Sequence, residues 1–349
     1  MITNIRLQQF RSYQDDSFEF EEGVNVIVGP NASGKTNILE AILLATQGKS
    51  YRAKDAEMIR QGQPWARIDA DIVSKHRVVK LELLEGVVKK SFDLDDKKLS
   101  RLGASTRLPV VLFEPNHLLM LGGSPDLRRA FLDLLIDQTT PEYGTTLNKY
   151  KRALLQRNRL LKSGRAAANQ LFAWDIRLSE LGAQIVTARH QMIDEINKHF
   201  TATYNQLAGH KNSLSLRYSL SVEPEAYGSY LLKKLEKDLD LDLLRGFTSS
   251  GPHREDILFV FDGQPLANVA SRGEVRTALL ALKIIELHII ESHKGVKPML
   301  LLDDVFSELD GARRKSLTSF IKSYQTFITT TDADVVIKHF AKQCNIIPL

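Results

Sequence analysis

The sequence predicts an α/β fold, a mixed sheet with helices that carries an inserted α-helical hairpin. Three observations predict it. Gly29-Pro30-Asn31-Ala32-Ser33-Gly34-Lys35-Thr36 has the spacing G-x-x-x-x-G-K-T and stands between a short apolar run and a helical pattern. Lys297-Pro298-Met299-Leu300-Leu301-Leu302-Asp303-Asp304 is an apolar strand pattern ending in two acids. Between them, from about residue 140, apolar side chains recur at helical spacing in two stretches separated by Ser163-Gly164-Arg165.

The glycine-rich stretch has the context its chemistry needs. Val24–Val28 reads as a buried strand, and residues 37–47 read as a helix with Ile38, Ala41, Ile42 and Ala45 on one face. Gly29 and Gly34 let the backbone turn tightly and present successive N–H groups to phosphate oxygens. The helix N-terminus adds its partial positive charge at the same point. In such a loop Lys35 reaches the β- and γ-phosphates of ATP, and the Thr36 hydroxyl ligates Mg²⁺. The strand ending in Asp303 is the Walker B pattern, which delivers a carboxylate to the same metal.

Composition sets the outer limits. With 349 residues the chain has room for about two domains, and 43% hydrophobic residues suffice for a large core. No apolar run approaches the roughly 18 residues of a membrane span. The N-terminus lacks a signal-peptide pattern, so the cytoplasm is the expected compartment. One cysteine, Cys344, excludes an intramolecular disulfide framework and a cysteine-based zinc hook. The net charge of +5 is compatible with nucleic-acid contact without establishing it.

In chain order, Ile2, Ile5 and Leu7 mark a first strand, and Phe18 and Phe20 a second. Residues 66–73, 77–84 and 87–94 alternate as strands, with Glu85-Gly86 as a hairpin turn. Residues 108–113 read as another buried strand. Leu147, Leu154 and Leu161 then step by seven, and Leu171, Trp174, Leu178, Leu181, Ile185, Ala188 and Met192 by three and four. These two helices suggest an antiparallel hairpin projecting from a globular base, or two core helices of a bundle. No acid occurs between Tyr143 and Trp174, so Arg157, Arg159, Lys162 and Arg165 are candidates for phosphate contact, with Arg52 a further candidate on the head. Residues 213–222 alternate again, and a lysine-rich amphipathic helix follows near 227–238. A strand at 257–261, a long helix at 273–292 and alternating strands and helices to the end imply a parallel sheet.

The two phosphate-site motifs stand at opposite ends of the chain with a helical hairpin between them. That layout resembles ABC-type ATPases of the SMC class, and its details resemble the RecF family of bacterial recombination-repair ATPases. The residues carrying the resemblance are Asn31 to Asn37, Leu39-Glu40-Ala41, Phe113-Glu114-Pro115, Gly123 to Asp133, Ser250-Gly251-Pro252-His253-Arg254, and Leu301 to Asp310. The resemblance implies a P-loop ABC-type ATPase head in two lobes, 1–135 and 213–349, with an arm at 136–212. It places a signature loop at Ala270 to Glu274, whose Ser271 and Gly273 would contact the γ-phosphate held by a second subunit. Glu274 stands where Gln is usual, and its charge would weaken that contact. Asp303 matches the Mg²⁺ ligand, Asp304 the position of the water-orienting acid, and Ser307 with Asp310 the D-loop at the dimer interface. An Asp in place of the longer Glu, and Thr330-Thr331 where a switch His often stands, imply slow hydrolysis. The implied function is an ATP-gated homodimeric DNA clamp with weak, DNA-stimulated ATPase activity, acting in recombinational repair and the SOS response with RecO-type and RecR-type mediators. The alternatives are an ABC-type ATPase of another SMC-like or a transporter system, and an ATPase fused to a nuclease. A transporter ATPase domain would be shorter and lack a basic hairpin arm, and a nuclease fusion would need a further carboxylate-rich domain after the head.

Overall fold

The fold is given by a computed structural model, which describes residues 1–72, 75–164, 170–220, 222–340 and 344–349. The chain divides into two compact units. One is Met1–His117 together with Leu287–Leu349, and the other is the contiguous stretch Leu118–Glu286.

The first unit begins with a hairpin of β1 (Ile2–Phe10) and β2 (Tyr13–Glu19), followed by β3 (Val24–Val28) and α1 (Lys35–Gln47). Short α2 (Asp55–Met58) leads to β4 (Trp65–Ile72), β5 (Lys75–Leu84), β6 (Val87–Leu94), β7 (Lys97–Leu99) and β8 (Val110–Phe113). An antiparallel sheet has the order β2-β1-β4-β5-β6-β7. Along β4, Ala66, Ile68, Ala70 and Ile72 are buried and the residues between them face outward, the two-residue period of a strand with one wet face. The turn between β5 and β6 has positive φ at both Glu85 (50°) and Gly86 (80°), which matches the twist of a tight hairpin.

The second unit carries α3 (Leu118–Gly122), α4 (Pro125–Thr139), α5 (Tyr143–Lys162), α6 (Leu171–Ala208), β9 (Leu214–Tyr218), α7 (Tyr227–Lys237) and α8 (Leu239–Arg245). It continues with β10 (Ile257–Phe261), β11 (Gln264–Pro265), α9 (Leu266–Val269) and α10 (Arg272–Lys294), whose residues from Leu287 belong to the first unit. β11, β10 and β9 form a small antiparallel sheet.

The first unit then resumes with β12 (Met299–Asp303), α11 (Val305–Glu308), α12 (Gly311–Ile321), β13 (Thr326–Thr330), α13 (Ala333–Phe340) and β14 (Cys344–Pro348). A second sheet, parallel throughout, has the order β14-β3-β13-β12-β8. Helix α1 shares one core with both sheets: Ile38, Leu39 and Ile42 cluster with Ile5, Ile68 and Val79 of the antiparallel sheet and with Ile27, Leu301 and Phe327 of the parallel one. The single apolar face expected for this helix is therefore too little. Every residue from Ile38 to Gln47 is buried, as a helix with a sheet on each side must be.

The two helices of the expected hairpin, α5 and α6, both lie in the second unit. α6 runs on to Ala208, past the seam read to Met192, with Ile196, Phe200, Tyr204 and Leu207 buried, and its second half is sewn to the small sheet. Asn197 brackets the backbone of Leu216 with bonds of 2.9 and 2.8 Å, and Thr201 brackets Leu214 at 2.8 and 3.0 Å. At Gly182 a Cβ would lie 2.9 Å from Leu231 Cδ2, so the glycine lets α7 close on α6. Residues 135 and 212, expected as boundaries of an arm, both fall inside the second unit because the helices share its core.

Candidate functional site

Because the sheet is parallel, β3, β12 and β13 all end at the same edge. In open α/β sheets the crevice beyond the carboxyl ends of the strands is where ligands bind. The loop 29–34 leaves β3 at that edge and enters α1. Gly29 donates its N–H to Thr330 O of β13 at 3.3 Å, and Asn37 N–H returns to Gly34 O at 2.8 Å. Gly34 sits at φ 103°, and a Cβ there would come within 2.7 Å of Tyr13 Oη and 2.9 Å of Ser12 Oγ. Backbone conformation and space both demand glycine. Tyr13 donates to the Gly34 carbonyl at 3.1 Å and holds the turn from the β1–β2 side.

Lys35 is buried, and its Nζ turns into the loop, donating to the carbonyls of Gly29 (2.8 Å) and Pro30 (2.7 Å). Thr36 donates to Asp303 Oδ1 at 2.9 Å. Two side chains 267 positions apart therefore meet because β3 and β12 flank β13 in one sheet. Thr329, fully buried on β13, donates to the same Asp303 oxygen at 2.8 Å. Tyr51 donates to the other oxygen, Oδ2, at 3.2 Å. Burial, with Asp303 beside it, pushes the Tyr51 hydroxyl well above the usual phenol range, so it stays a donor. Asp304 adopts φ 55°, a left-handed conformation that Asp tolerates better than most residues, and its N–H donates to Thr329 Oγ1 at 2.9 Å.

Whether these residues fit a phosphate and a hard cation can be judged from their chemistry. Ser33 Oγ is buried in the loop with no hydrogen-bond partner among the described residues. An orphaned buried hydroxyl in a glycine-rich loop at a helix start suits an oxyanion, which can fill its unmet bonding capacity. Oxygen donors from Thr36 and Asp303 suit Mg²⁺, which takes few protein ligands and keeps waters. The residues fit both groups.

Behind the loop, Glu40 of α1 is fully buried and accepts two bonds from Arg11 at 2.9 and 3.0 Å, one from Ser50 at 2.8 Å and one from Arg52 at 3.3 Å. Burial alone would raise its pKa, but the bonds from Arg11, Ser50 and Arg52 outweigh it and hold the carboxylate ionised. Arg52, a candidate for DNA contact, thus lies beside the start of α1, with its guanidinium also 3.4 Å from Asn37 Oδ1. Tyr51, Thr329 and Arg11 were not anticipated. The signal was faint: a tyrosine in a basic turn, a threonine in a buried strand, and an arginine after a strand.

Ser271 and Gly273 belong to the second unit, at the start of α10. Ser271 N–H donates to Glu274 Oε2 at 2.7 Å, and Glu274 N–H donates to Ser271 Oγ at 3.3 Å. This is a capping box, in which two orphan donors of the helix start are satisfied reciprocally. The bonds from the Ser271 backbone and hydroxyl hold the Glu274 carboxyl below its ordinary range. Asp310 likewise caps α12, accepting from Arg313 N–H at 2.9 Å. Ser307 lies in α11, and its side chain falls outside the described residues.

One of the four cations expected to meet phosphate, Arg157, is not at the surface. Arg157 is fully buried, with Nε on Asp175 at 2.6 Å and Nη1 on Asp242 at 2.6 Å and Thr248 Oγ1 at 3.0 Å. It cannot reach a DNA backbone, because its charge is spent on two carboxylates inside the unit. Arg159 and Lys162 are exposed, while Arg165 lies outside the described residues.

A strand–P-loop–helix, a second strand ending in paired acids on the same parallel sheet, and an antiparallel sheet over the shared helix define the head of an ABC-type ATPase. The family described as "RecF/RecN/SMC N terminal domain" matches residues 1–347. The DNA replication and repair protein RecF of Bacillus subtilis is 35% identical, covering 95% of this chain and 94% of that protein. That of Acetivibrio thermocellus is also 35% identical, over 96% and 94%. Among solved structures, the recombination mediator protein RecF-ATP in the RecFOR pathway is similar at 31% identity and TM-score 0.85, covering 95% of this chain and 92% of that one. An Smc head bound to the C-winged helix domain of ScpA shares the fold alone, at 18% identity, TM-score 0.55 and coverage of 97% and 91%. The chain belongs to the RecF family of DNA replication and repair proteins. Among the described residues, no helix is long and apolar enough to cross a membrane.

Proposed function

We propose that the chain is an ATP-gated DNA-binding protein of recombinational repair. Residues 29–36 hold the ATP phosphates, and Thr36 with Asp303 holds Mg²⁺. Lys35 then leaves the loop carbonyls for the β- and γ-phosphates, a charge-assisted exchange. Ser271 and Gly273 complete the site of a second copy in trans, the D-loop of Ser307 and Asp310 lines the interface, and Asp304 orients the water for slow hydrolysis. Mg²⁺, when bound, neutralises charge that develops on the phosphates. The closed dimer grips single-stranded or gapped duplex DNA and, in the cytoplasm, works with RecO-type and RecR-type mediators to load recombinase, also during the SOS response.

The observation that carries this reading is the 2.9 Å bond between Thr36 and Asp303, which joins the phosphate loop to the acid-ended strand from the far end of the chain. The ATP complex of a relative supports the nucleotide, and the family supports repair as the setting. The test is sedimentation with and without ATP and Mg²⁺, then with gapped duplex DNA. A dimer is expected only with ATP, and Ser271→Arg should bind ATP as a monomer. A Ser271→Arg variant that dimerises normally with ATP would sink the composite site.

A further inference from the structure

Cations and an exposed aromatic ring come together on the second unit, around Ser250-Gly251-Pro252-His253-Arg254. α5 is pinned to this region from inside. Asn158 Oδ1 accepts from the Thr248 N–H at 2.8 Å and from its hydroxyl at 2.7 Å, next to the buried Arg157 that bonds Asp242. The pinning brings the exposed stripe of α5, Leu155, Arg159 and Lys162, alongside residues 244–247. A Cβ at Gly246 would lie 3.4 Å from Lys162 Cγ. Phe247 is 38% exposed, and the Arg254 guanidinium stands 4.9 Å above its ring. Arg245 is exposed next to them. None of Arg159, Lys162, Arg245 and Arg254 is ion-paired among the described residues, whereas Asp238 and Asp242 are turned to Ser250, Ser249 and Arg157.

The loop beneath is rigid. Tyr150 and His253 Nδ1 share a 2.7 Å bond, and Arg189 donates to Pro252 O at 2.7 Å. Tyr218 donates to Glu255 Oε2 at 2.6 Å, Tyr227 donates to Oε1, and Arg128 grips Asp256 at 2.8 Å through two nitrogens. Burial pushes the His253 pKa down to about 4, so this ring is an uncharged strut at neutral pH. Held in this way, the Phe247–Arg254 stack is pre-ordered at the surface.

We propose that this patch seats a single-stranded segment of nucleic acid, with one unpaired base on the Phe247–Arg254 stack and phosphates on Arg159, Lys162 and Arg245. The proposal rests on the DNA-binding reading above and assigns it a place and a substrate form. Cations alone would take duplex and single strand alike. An exposed aromatic ring gains only from a base free of its partner, through stacking and cation–π attraction.

The test is fluorescence anisotropy of the full chain with labelled oligothymidine and with a blunt duplex of the same length. Phe247→Ala should weaken oligothymidine binding about tenfold and leave the duplex unchanged. Phe247→Trp should keep the affinity, and its emission should be quenched by oligothymidine. Arg159→Gln with Lys162→Gln should flatten the single-strand salt slope by about 1.4, the share of two phosphates. Phe247 is partly exposed, so thermal melting of its variants should stay near wild type. Oligothymidine binding unaffected by Phe247→Ala, or an equal loss on duplex, overturns the seat while leaving DNA binding intact. A wild-type chain that binds neither DNA removes both readings. A glutamate-rich peptide with one aromatic anchor that binds wild type and not Phe247→Ala, with DNA binding untouched, assigns the patch to a protein partner and also overturns the seat.

Discussion

Two helix beginnings in this molecule solve the same problem in opposite ways. Every α-helix starts with backbone N–H groups that lack an intrahelical partner. At α1 the N-cap is Gly34, with no side-chain cap and no acid in the first turn, and the buried Ser33 hydroxyl beside it has no partner among the described residues. At α10 the side chains of Ser271 and Glu274 fill the first donors. An open start stores binding capacity for an anion, and a capped one stores stability. Glu274, which sequence pattern alone marks as an awkward charge, thus has a structural role as a cap.

The open start of α1 is most sensitive at Lys35. Lys35→Ala should lower ATP affinity by about 10- to 100-fold, the worth of one charge-assisted contact, while circular dichroism and melting stay close to wild type. ATP affinity equal to wild type would show that the open start of α1 does not bind phosphate. Next in size is Gly34→Ala. Its Cβ would meet Tyr13 Oη at 2.7 Å from a backbone at φ 103°, so a loss of about 1–3 kcal/mol in denaturant unfolding is expected. A Gly34→Ala chain as stable as wild type would mean that the loop readily adopts another shape.

The capped start gives the smallest effects and the sharpest ones. Glu274→Ala should cost about 1 kcal/mol of stability at neutral pH. The folded-state pKa of Glu274 lies below the ordinary value of 4.5, so the cap stabilises above that pH and its contribution disappears as pH falls through the lowered value. Wild type and Glu274→Ala should therefore converge in melting temperature in acid. Glu274→Gln keeps an acceptor in the box and removes the charge. It should melt within a degree or two of wild type and, in the proposed dimer, tighten ATP-dependent association a few-fold by sedimentation. Weaker association would mean that the carboxylate helps the trans contact.

Much of this architecture was legible because it depends on local pattern. Val24–Val28 and Met299–Asp303 read as buried strands from their apolar runs and Thr326–Thr330 as a strand from its place in the alternation with helices, and all three stand in the parallel sheet. The two-residue turn at Glu85-Gly86 follows from φ preferences alone. What could not be read depends on partners far away in sequence. Arg157 looked like one more cation on a wet helix, and its two carboxylates stand 18 and 85 positions away. Tyr51 and Thr329 carry no motif, yet both orient Asp303, a role visible only once β12 and β13 lie side by side. The reach of α6 beyond Met192 was legible, although the seam read from the sequence stops there: Ile196, Phe200, Tyr204 and Leu207 continue it at three- and four-residue spacing, all buried, beside the side-chain bonds to β9.

The parallel sheet also has a consequence in time. Among the described residues, β3, formed by residues 24–28, has as its sheet neighbours β13 and β14, which come from the far end of the chain. On the ribosome, β3 must wait for its sheet neighbours until Thr326–Thr330 has emerged. The contiguous stretch Leu118–Glu286 is under no such delay and can fold while the rest is being synthesised. Closing so long a loop is entropically slow, so the nascent first unit exposes the apolar surface of β3 for that interval.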